Sequence, residues 1–152
     1  MKIYLASSWR NPYQPSALLQ LRDAGHEVYD FRHPKPDDNG FGWDQIDPNW
    51  KNWTPEEYRN ALSHAVAQRG FKNDRDAMED SDGCVLLLPC GRSAHLEAGW
   101  FMGMGRPVWI VIPEPVEPEL MYLLNNCFAI EAHALCLSVT ECVKRIHDYL
   151  GE

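Results

Sequence analysis

"VLLLPCGRSAHLEAGW", residues 85–100, decides the fold. The apolar run that opens it begins two residues earlier, as "GCVLLLP" (83–89), and has no polar alternation. Such a run suits a strand buried on both faces of a parallel sheet. A short turn of small residues follows, and Ser93 through Met104 keeps helical spacing until Gly105 stops it. "PVWIVI" (107–112) is a second buried run. Strand, turn, helix and strand in this order make an α/β fold with a mostly parallel sheet. The unit also leaves one carboxylate, Glu97, among Leu96, Trp100 and Phe101.

The flanking sequence extends the same alternation. "KIYLA" (2–6) is β-prone, and Asn11-Pro12 reads as a helix start that Pro15 can delay. "SALLQLRDAG" carries helical spacing up to Gly25, a C′ candidate, and "EVYDF" (27–31) is the next strand. "TPEE" (54–57) is a capping box opening a helix to about Gln68, with a second helix from about Phe71 to Asp80. "EPELMYLLNN" reads as a short helix, "CFAIE" as a final strand, and "SVTE" (138–141) caps a C-terminal helix. No internal repeat and no second domain is apparent, so residues 1–152 are expected to be one domain. Between the second strand and the capping box lies "RHPKPDDNGFGWDQIDPNWKNW", residues 32–53, which has no period. A loop this long is usually functional or disordered, and its aromatic content disfavours disorder. Two readings stay open: a substrate-covering loop, or tryptophans 43, 50 and 53 capping one end of the core.

Composition bounds the function. A formal net charge of −8 disfavours duplex nucleic acid as a partner, since no Lys/Arg cluster could neutralise several phosphates. The five cysteines are odd in number and form no C-x-x-C pair, which fits a reducing compartment and argues against a zinc site or a disulfide framework. The six histidines are scattered without H-E-x-x-H. The opening apolar run is too short for a signal peptide, and no span reaches membrane length. The expectation is a cytoplasmic, metal-free protein that needs no cofactor.

In parallel sheets, ligands bind beyond the carboxyl ends of the strands, where strand-to-helix turns converge. "YLASSWR", "KND" and "CGRSAHLE" are expected there, with the amide groups opening the Ser93 helix as an anion site. Counted from Ser93 as N-cap, Glu97 falls at the end of the first turn. The helix dipole favours its ionised form there and apolar neighbours oppose it. An ionised carboxylate in a partly dry pocket suits displacement at a sugar carbon. Taken alone, the segment fits a solvent-facing helix glutamate better.

"KIYLASSWR", "NDRDAMEDSD" and "SAHLEAG", in this order and spacing, resemble the nucleoside 2-deoxyribosyltransferase superfamily, from the first strand to about Met121. That superfamily includes the transferases proper and the 2′-deoxynucleoside 5′-monophosphate N-glycosidases. The resemblance implies a flavodoxin-like, three-layer fold with a five-stranded sheet, and cleavage or exchange of the bond between base and sugar. It puts Glu97, in an E-x-G pattern with Gly99, on the catalytic glutamate that attacks C1′. Tyr4 falls on the strand tyrosine that orients that carboxylate, and Asp74 on the aspartate that contacts the leaving base and assists its protonation. Asp76 is set aside because the spacing to Asp82, read as a helix terminator, fits Asp74. Trp9 lies where the transferases hold the base, and stacking on a planar heterocycle gives it a physical reason. Ser8 and Arg10 fall on phosphate-side donors of the monophosphate hydrolases, and Arg92 and Ser93 on a second phosphate-facing turn. Arg10 is favoured as a ligand and Arg92 is left undecided.

Several positions depart from the family pattern. Ser7 replaces a frequent glycine, and Gly91 replaces the phosphate-side serine. Glu119, in "PELM", stands where the transferases send an asparagine into a neighbouring subunit's site, and "DYLGE" lacks a terminal aromatic. An acid at 119 would repel a 5′-phosphate. The expected partner is a nucleoside or nucleotide, and the expected assembly a homodimer or larger. The alternative function is a non-catalytic nucleotide-binding module, which would need neither Tyr4 nor Asp74. An FMN-binding flavodoxin-like scaffold is disfavoured, because no Ser/Thr-rich phosphate loop follows the first strand.

Overall fold

The computed structural model describes residues 1–125 and 135–152. Among these, five strands form a parallel sheet in the order β2-β1-β3-β4-β5. They are β1 (Lys2–Ala6), β2 (Glu27–Tyr29), β3 (Gly83–Leu87), β4 (Val108–Val111) and β5 (Leu135–Cys136). The helices are α1 (Gln14–Asp23), α2 (Pro55–Ala61), α3 (Ala65–Asp80), α4 (Arg92–Gly103) and α5 (Val139–Leu150). The strand order reverses direction between β1 and β3, which makes their carboxyl ends the switch point where such sheets take ligands. The chain divides into two compact units: residues 1–29 with 80–152, and residues 30–79.

In the larger unit, side chains alternate across the sheet. Ile3, Leu5, Val85, Leu87, Trp109 and Val111 face a core completed by Leu18 and Leu21 of α1 and Cys142 and Ile146 of α5. The opposite face carries Tyr4, Cys84, Leu86 and Ile110 against α4, which buries Ala94, Ala98 and Phe101. Every residue of β3 and of β4 is buried, as their unbroken apolar runs predict. Three layers result, α on β on α. Asp82 secures the start of β1, its carboxylate accepting the Lys2 N–H at 2.7 Å and its own N–H reaching the Lys2 carbonyl.

Most helix ends follow the local signals. After α1, the Gly25 N–H bonds the Arg22 carbonyl and the His26 N–H bonds Leu21, a Schellman arrangement that needs the positive φ of Gly25 (90°). Thr54 and Ser138 cap α2 and α5, accepting the N–H groups of Glu57 and Glu141. Other signals mislead. Asn11 does not cap α1, which begins after Tyr13 with Pro15 in its first turn. Asn11 is buried, and its amide donates to Ser7 Oγ, Leu87 O and Pro89 O at 2.9–3.2 Å. It thereby ties the turn after β1 to the turn after β3.

In the smaller unit, the helical break falls at residues 62–64 rather than near Gly70. His64 Nδ1 accepts the Val66 N–H and Gln68 donates to the Leu62 carbonyl, so the chain ends are satisfied there. Gly70 stays helical, and Phe41 packs so closely that a Cβ there would lie 3.1 Å from it. Trp43 meets Phe41, Trp53 and Tyr58 at ring separations of 4.7–5.8 Å, and Trp53 donates to Asp47. Tryptophans 43 and 53 therefore pack into an aromatic cluster of this unit. Residues 43–45 and 50–52 form single 3-10 turns, the strand after Gly25 stops at Tyr29, and "EPELMYLLNN" holds a 3-10 turn, Leu120–Leu124, in place of an α-helix. "CFAIE" lies outside the described residues, and the edge strand found is Leu135–Cys136.

Where α5 passes His26, the His26 and His147 rings meet edge to face at 5.3 Å, and each buries an Nε2 with no partner among the described residues. Burial pushes the His26 imidazole below its ordinary value, the N-terminal ammonium and His147 add to this, and Glu152 opposes it. The folded protein thus favours neutral His26. The resulting stability is complete above the unfolded value of about 6.5 and is lost as pH falls through the lower folded value. Urea unfolding at pH 7.5 and pH 5 checks this: His26→Gln is expected to lose less stability over that interval than the unaltered protein, and an equal loss contradicts it. Asn11→Ala is expected to lower unfolding free energy by about 2 kcal/mol, through the carbonyls it leaves unbonded. A loss under about 0.5 kcal/mol, the size expected of an ordinary surface change, would refute that tie.

Candidate active site

Alternation along β1 turns Tyr4 away from Ile3 and Leu5 and onto the α4 face. Its ring is fully buried, stacked at 5.4 Å on Tyr29 and tilted at 5.8 Å against Phe101. Held on both sides, the phenol has one direction left, and its hydroxyl donates to Glu97 Oε2. Glu97 itself is half-buried. Two residues 93 positions apart thus form a carboxylate–phenol pair at the switch point of the sheet.

The helix that presents Glu97 starts earlier than Ser93 predicts. Gly91 is the N-cap, and Arg92 and Ser93 occupy the first turn. The cause is His95, whose backbone N–H and ring Nδ1 both engage the Gly91 carbonyl, the ring at 2.8 Å. A carbonyl only accepts, so Nδ1 carries the proton, and in the neutral ring Nε2 is the acceptor. The Tyr122 hydroxyl donates to Nε2 at 2.8 Å, with the two rings stacked 5.7 Å apart. Glu97 consequently sits in the second turn, beyond the strongest reach of the helix dipole. Its fixed partner is Tyr4.

The carboxylate's field reaches two thiols. Cys84 pairs with Tyr4 across β1 and β3, and burial, followed by the Glu97 charge, raises its thiol well above the ordinary value. The same causes in the same order push Cys90 up to about 12. Both cysteines stay protonated at neutral pH.

The remaining predicted residues divide by position. The turns after β1 and β3 are joined through Ser7, whose hydroxyl donates to the Leu87 carbonyl at 3.0 Å, and through Asn11. This brings the segment carrying Ser8, Trp9 and Arg10 beside the one carrying Gly91, Arg92 and Ser93. The Ser8 hydroxyl accepts the Arg10 N–H, Trp9 is 49% exposed, and Arg10, Gly91, Arg92 and Ser93 are exposed. Asp74 is half-buried midway along α3, in the smaller unit, so it neither enters nor caps a helix as "KND" suggests. Asp76 is paired with Lys72. Glu119 caps the 3-10 turn, its carboxylate accepting the Met121 N–H at 3.0 Å.

His95, Tyr122 and Asn11 were not foreseen as a group. No spacing rule links a helix histidine to a tyrosine 27 residues on, and Asn11-Pro12 carries the signature of a cap. Among the described residues no group of three or more His, Cys, Asp or Glu is placed to hold a metal ion, and no helix is long and apolar enough to cross a membrane.

No protein-family model matches the sequence, and no curated protein matches it. Solved structures do. A 2-deoxyribosyltransferase from the psychrotolerant bacterium Bacillus psychrosaccharolyticus is similar with a TM-score of 0.53 and 25% identity, over 80% of this chain and 79% of that one. The CMP N-glycosidase BcmB of Clostridium botulinum shares the fold with a TM-score of 0.50 and 16% identity, over 96% of this chain and 98% of that one. The three ordered sequence blocks, the parallel α/β/α architecture and the similarity to a 2-deoxyribosyltransferase together support the resemblance of the chain to the nucleoside 2-deoxyribosyltransferase superfamily.

Proposed function

We propose that the protein cleaves, or transfers at, the N-glycosidic bond of a deoxynucleoside or its 5′-monophosphate, with Glu97 as nucleophile. The observation that carries this reading is the Tyr4–Glu97 hydrogen bond at the switch point of the sheet. With Oε2 held by the phenol, Oε1 is the attacking oxygen. It bonds to C1′ as the C1′–N bond breaks, and the electron pair moves onto the base nitrogen. Asp74, when protonated, is assigned the proton that neutralises the departing base. The glycosyl ester is then opened at C1′ by water or by a second base, which returns the electron pair to Glu97. Buried aromatic rings around Tyr4 support a partly dry site, where the fixed hydroxyl counts for more than it would in water. Trp9, half-exposed after β1, is assigned to the base, and Ser8, Arg10, Gly91, Arg92 and Ser93 to the sugar and its 5′ side.

This reading takes residues 1–152 as one transferase-like domain working in the cytoplasm, which the free thiols of Cys84, Cys90, Cys136 and Cys142 support. A homodimer or larger assembly is proposed with it, supported by the exposed Leu120, Met121, Leu123 and Leu124.

The test separates free base from nucleosides and monophosphates incubated with the protein, with and without a second base. Glu97→Gln is expected to lower base release at least roughly a thousandfold with the fold intact. Tyr4→Phe keeps the ring and removes the donor, and is expected to lower kcat roughly a hundredfold with little change in KM. Full activity in Glu97→Gln would overturn the assignment, and tight nucleotide binding without turnover over hours would favour the non-catalytic module.

A further inference from the structure

The turn that follows β1 is closed by its own groups. The Asn11 N–H donates to the Ser8 carbonyl at 3.0 Å, which leaves Trp9 and Arg10 as the central residues of a β-turn. The Ser8 hydroxyl accepts the Arg10 N–H at 3.2 Å and fixes the second of them. Trp9 is thereby carried, half-exposed, at the corner of the turn. Tyr4 lies on the strand that leads into this turn, so any shift of the turn moves the indole relative to the Tyr4–Glu97 pair.

A clasp anchors the turn to the end of β3. The Ser7 hydroxyl donates to the Leu87 carbonyl at 3.0 Å and accepts from Asn11 Nδ2 at 2.9 Å. The same amide reaches the carbonyls of Leu87 at 3.1 Å and Pro89 at 3.2 Å. Its Oδ1 accepts the Tyr13 N–H at 2.8 Å, which holds the side chain from the α1 side. Asn11 is 2% exposed, so little water competes for these bonds. The amide has two hydrogens for three acceptors, and Ser7 relieves that shortage by donating to Leu87 itself. A glycine at position 7, frequent in the resembled family, supplies neither Ser7 bond.

We propose that Ser7 and Asn11 are positioning residues, whose clasp preorganises the Trp9–Arg10 turn as a fixed platform for the nucleobase. The proposal rests on the assignment of Trp9 to the base. A platform already ordered in the free protein spares the ligand the cost of ordering it. That saving is shared by ground state and transition state, so it acts on KM rather than on kcat. Every base has a π-face to stack, so purine and pyrimidine nucleosides benefit alike.

The experiment compares the unaltered protein with Ser7→Ala and with Ser7→Thr, which keeps the hydroxyl. Backbone amide order parameters of Trp9 and Arg10, from NMR relaxation, are expected at about 0.85 in the unaltered protein, falling toward about 0.6 in Ser7→Ala. In Ser7→Ala, KM for purine and pyrimidine deoxynucleosides is expected to rise roughly fivefold or more, with kcat within roughly twofold. Ser7→Thr is expected to restore both readouts. Circular dichroism checks the fold. If Ser7→Ala is unfolded, Asn11→Asp replaces it, keeping the acceptor for the Tyr13 N–H and removing the amide donor. Unchanged order parameters, an unchanged KM, a fall in kcat alone, or a Ser7→Thr variant no better than Ser7→Ala overturns the proposal. If no base is released from any nucleoside, the proposed glycosidic activity fails separately, and calorimetric affinities for the same nucleosides replace KM. Weaker binding by Ser7→Ala then supports the proposal, and equal affinities, or no binding, overturn it.

Discussion

A phenol on a strand holds a carboxylate on a helix, and the rest of the larger unit is arranged around that contact. Tyr4 can aim at Glu97 because its ring is confined between Tyr29 and Phe101. Confinement matters energetically, since a mobile donor would lose rotamer freedom on each engagement. It also matters electrostatically, since a fixed dipole needs no reorganisation to face the carboxylate. The sheet supplies the confinement. Registering Tyr4 with Tyr29 on one side and Cys84 on the other sets the depth at which the hydroxyl emerges.

A second, independent set of polar contacts frames the pair. Asn11 and Ser7 gather the turns after β1 and β3, and His95 with Tyr122 gathers the start of α4 and the segment after β4. Both sets use side chains to satisfy loop carbonyls and hydroxyls that no strand or helix can reach. Their effect is to hold irregular backbone at fixed positions around a regular scaffold. His95 of the clasp and Glu97 of the carboxylate–phenol pair share α4, so one helix presents both.

Much of the fold was readable from local pattern. Unbroken apolar runs located β3 and β4, Gly25 and Gly105 ended their helices, and Thr54 and Ser138 began theirs. Each of these signals acts within a few residues. The failures are of the same kind as one another. Asn11 bonds across strands instead of capping, and His95 moves the start of α4 back to Gly91. In both, a distant or reaching side chain outweighed a local preference worth about 1 kcal/mol.

Apolar runs and their order by themselves determined the α/β class and the parallel strands, and the family resemblance singled out Glu97 and Tyr4. Tertiary structure alone decided that these two touch, that Glu97 lies two residues deeper in its helix than Ser93 implies, and that His95 and Tyr122 bond to each other. The reason is range. Propensity, capping and periodicity operate over one or two turns of chain, whereas a hydrogen bond between residues 4 and 97 exists only after sheet register and helix packing have brought them together.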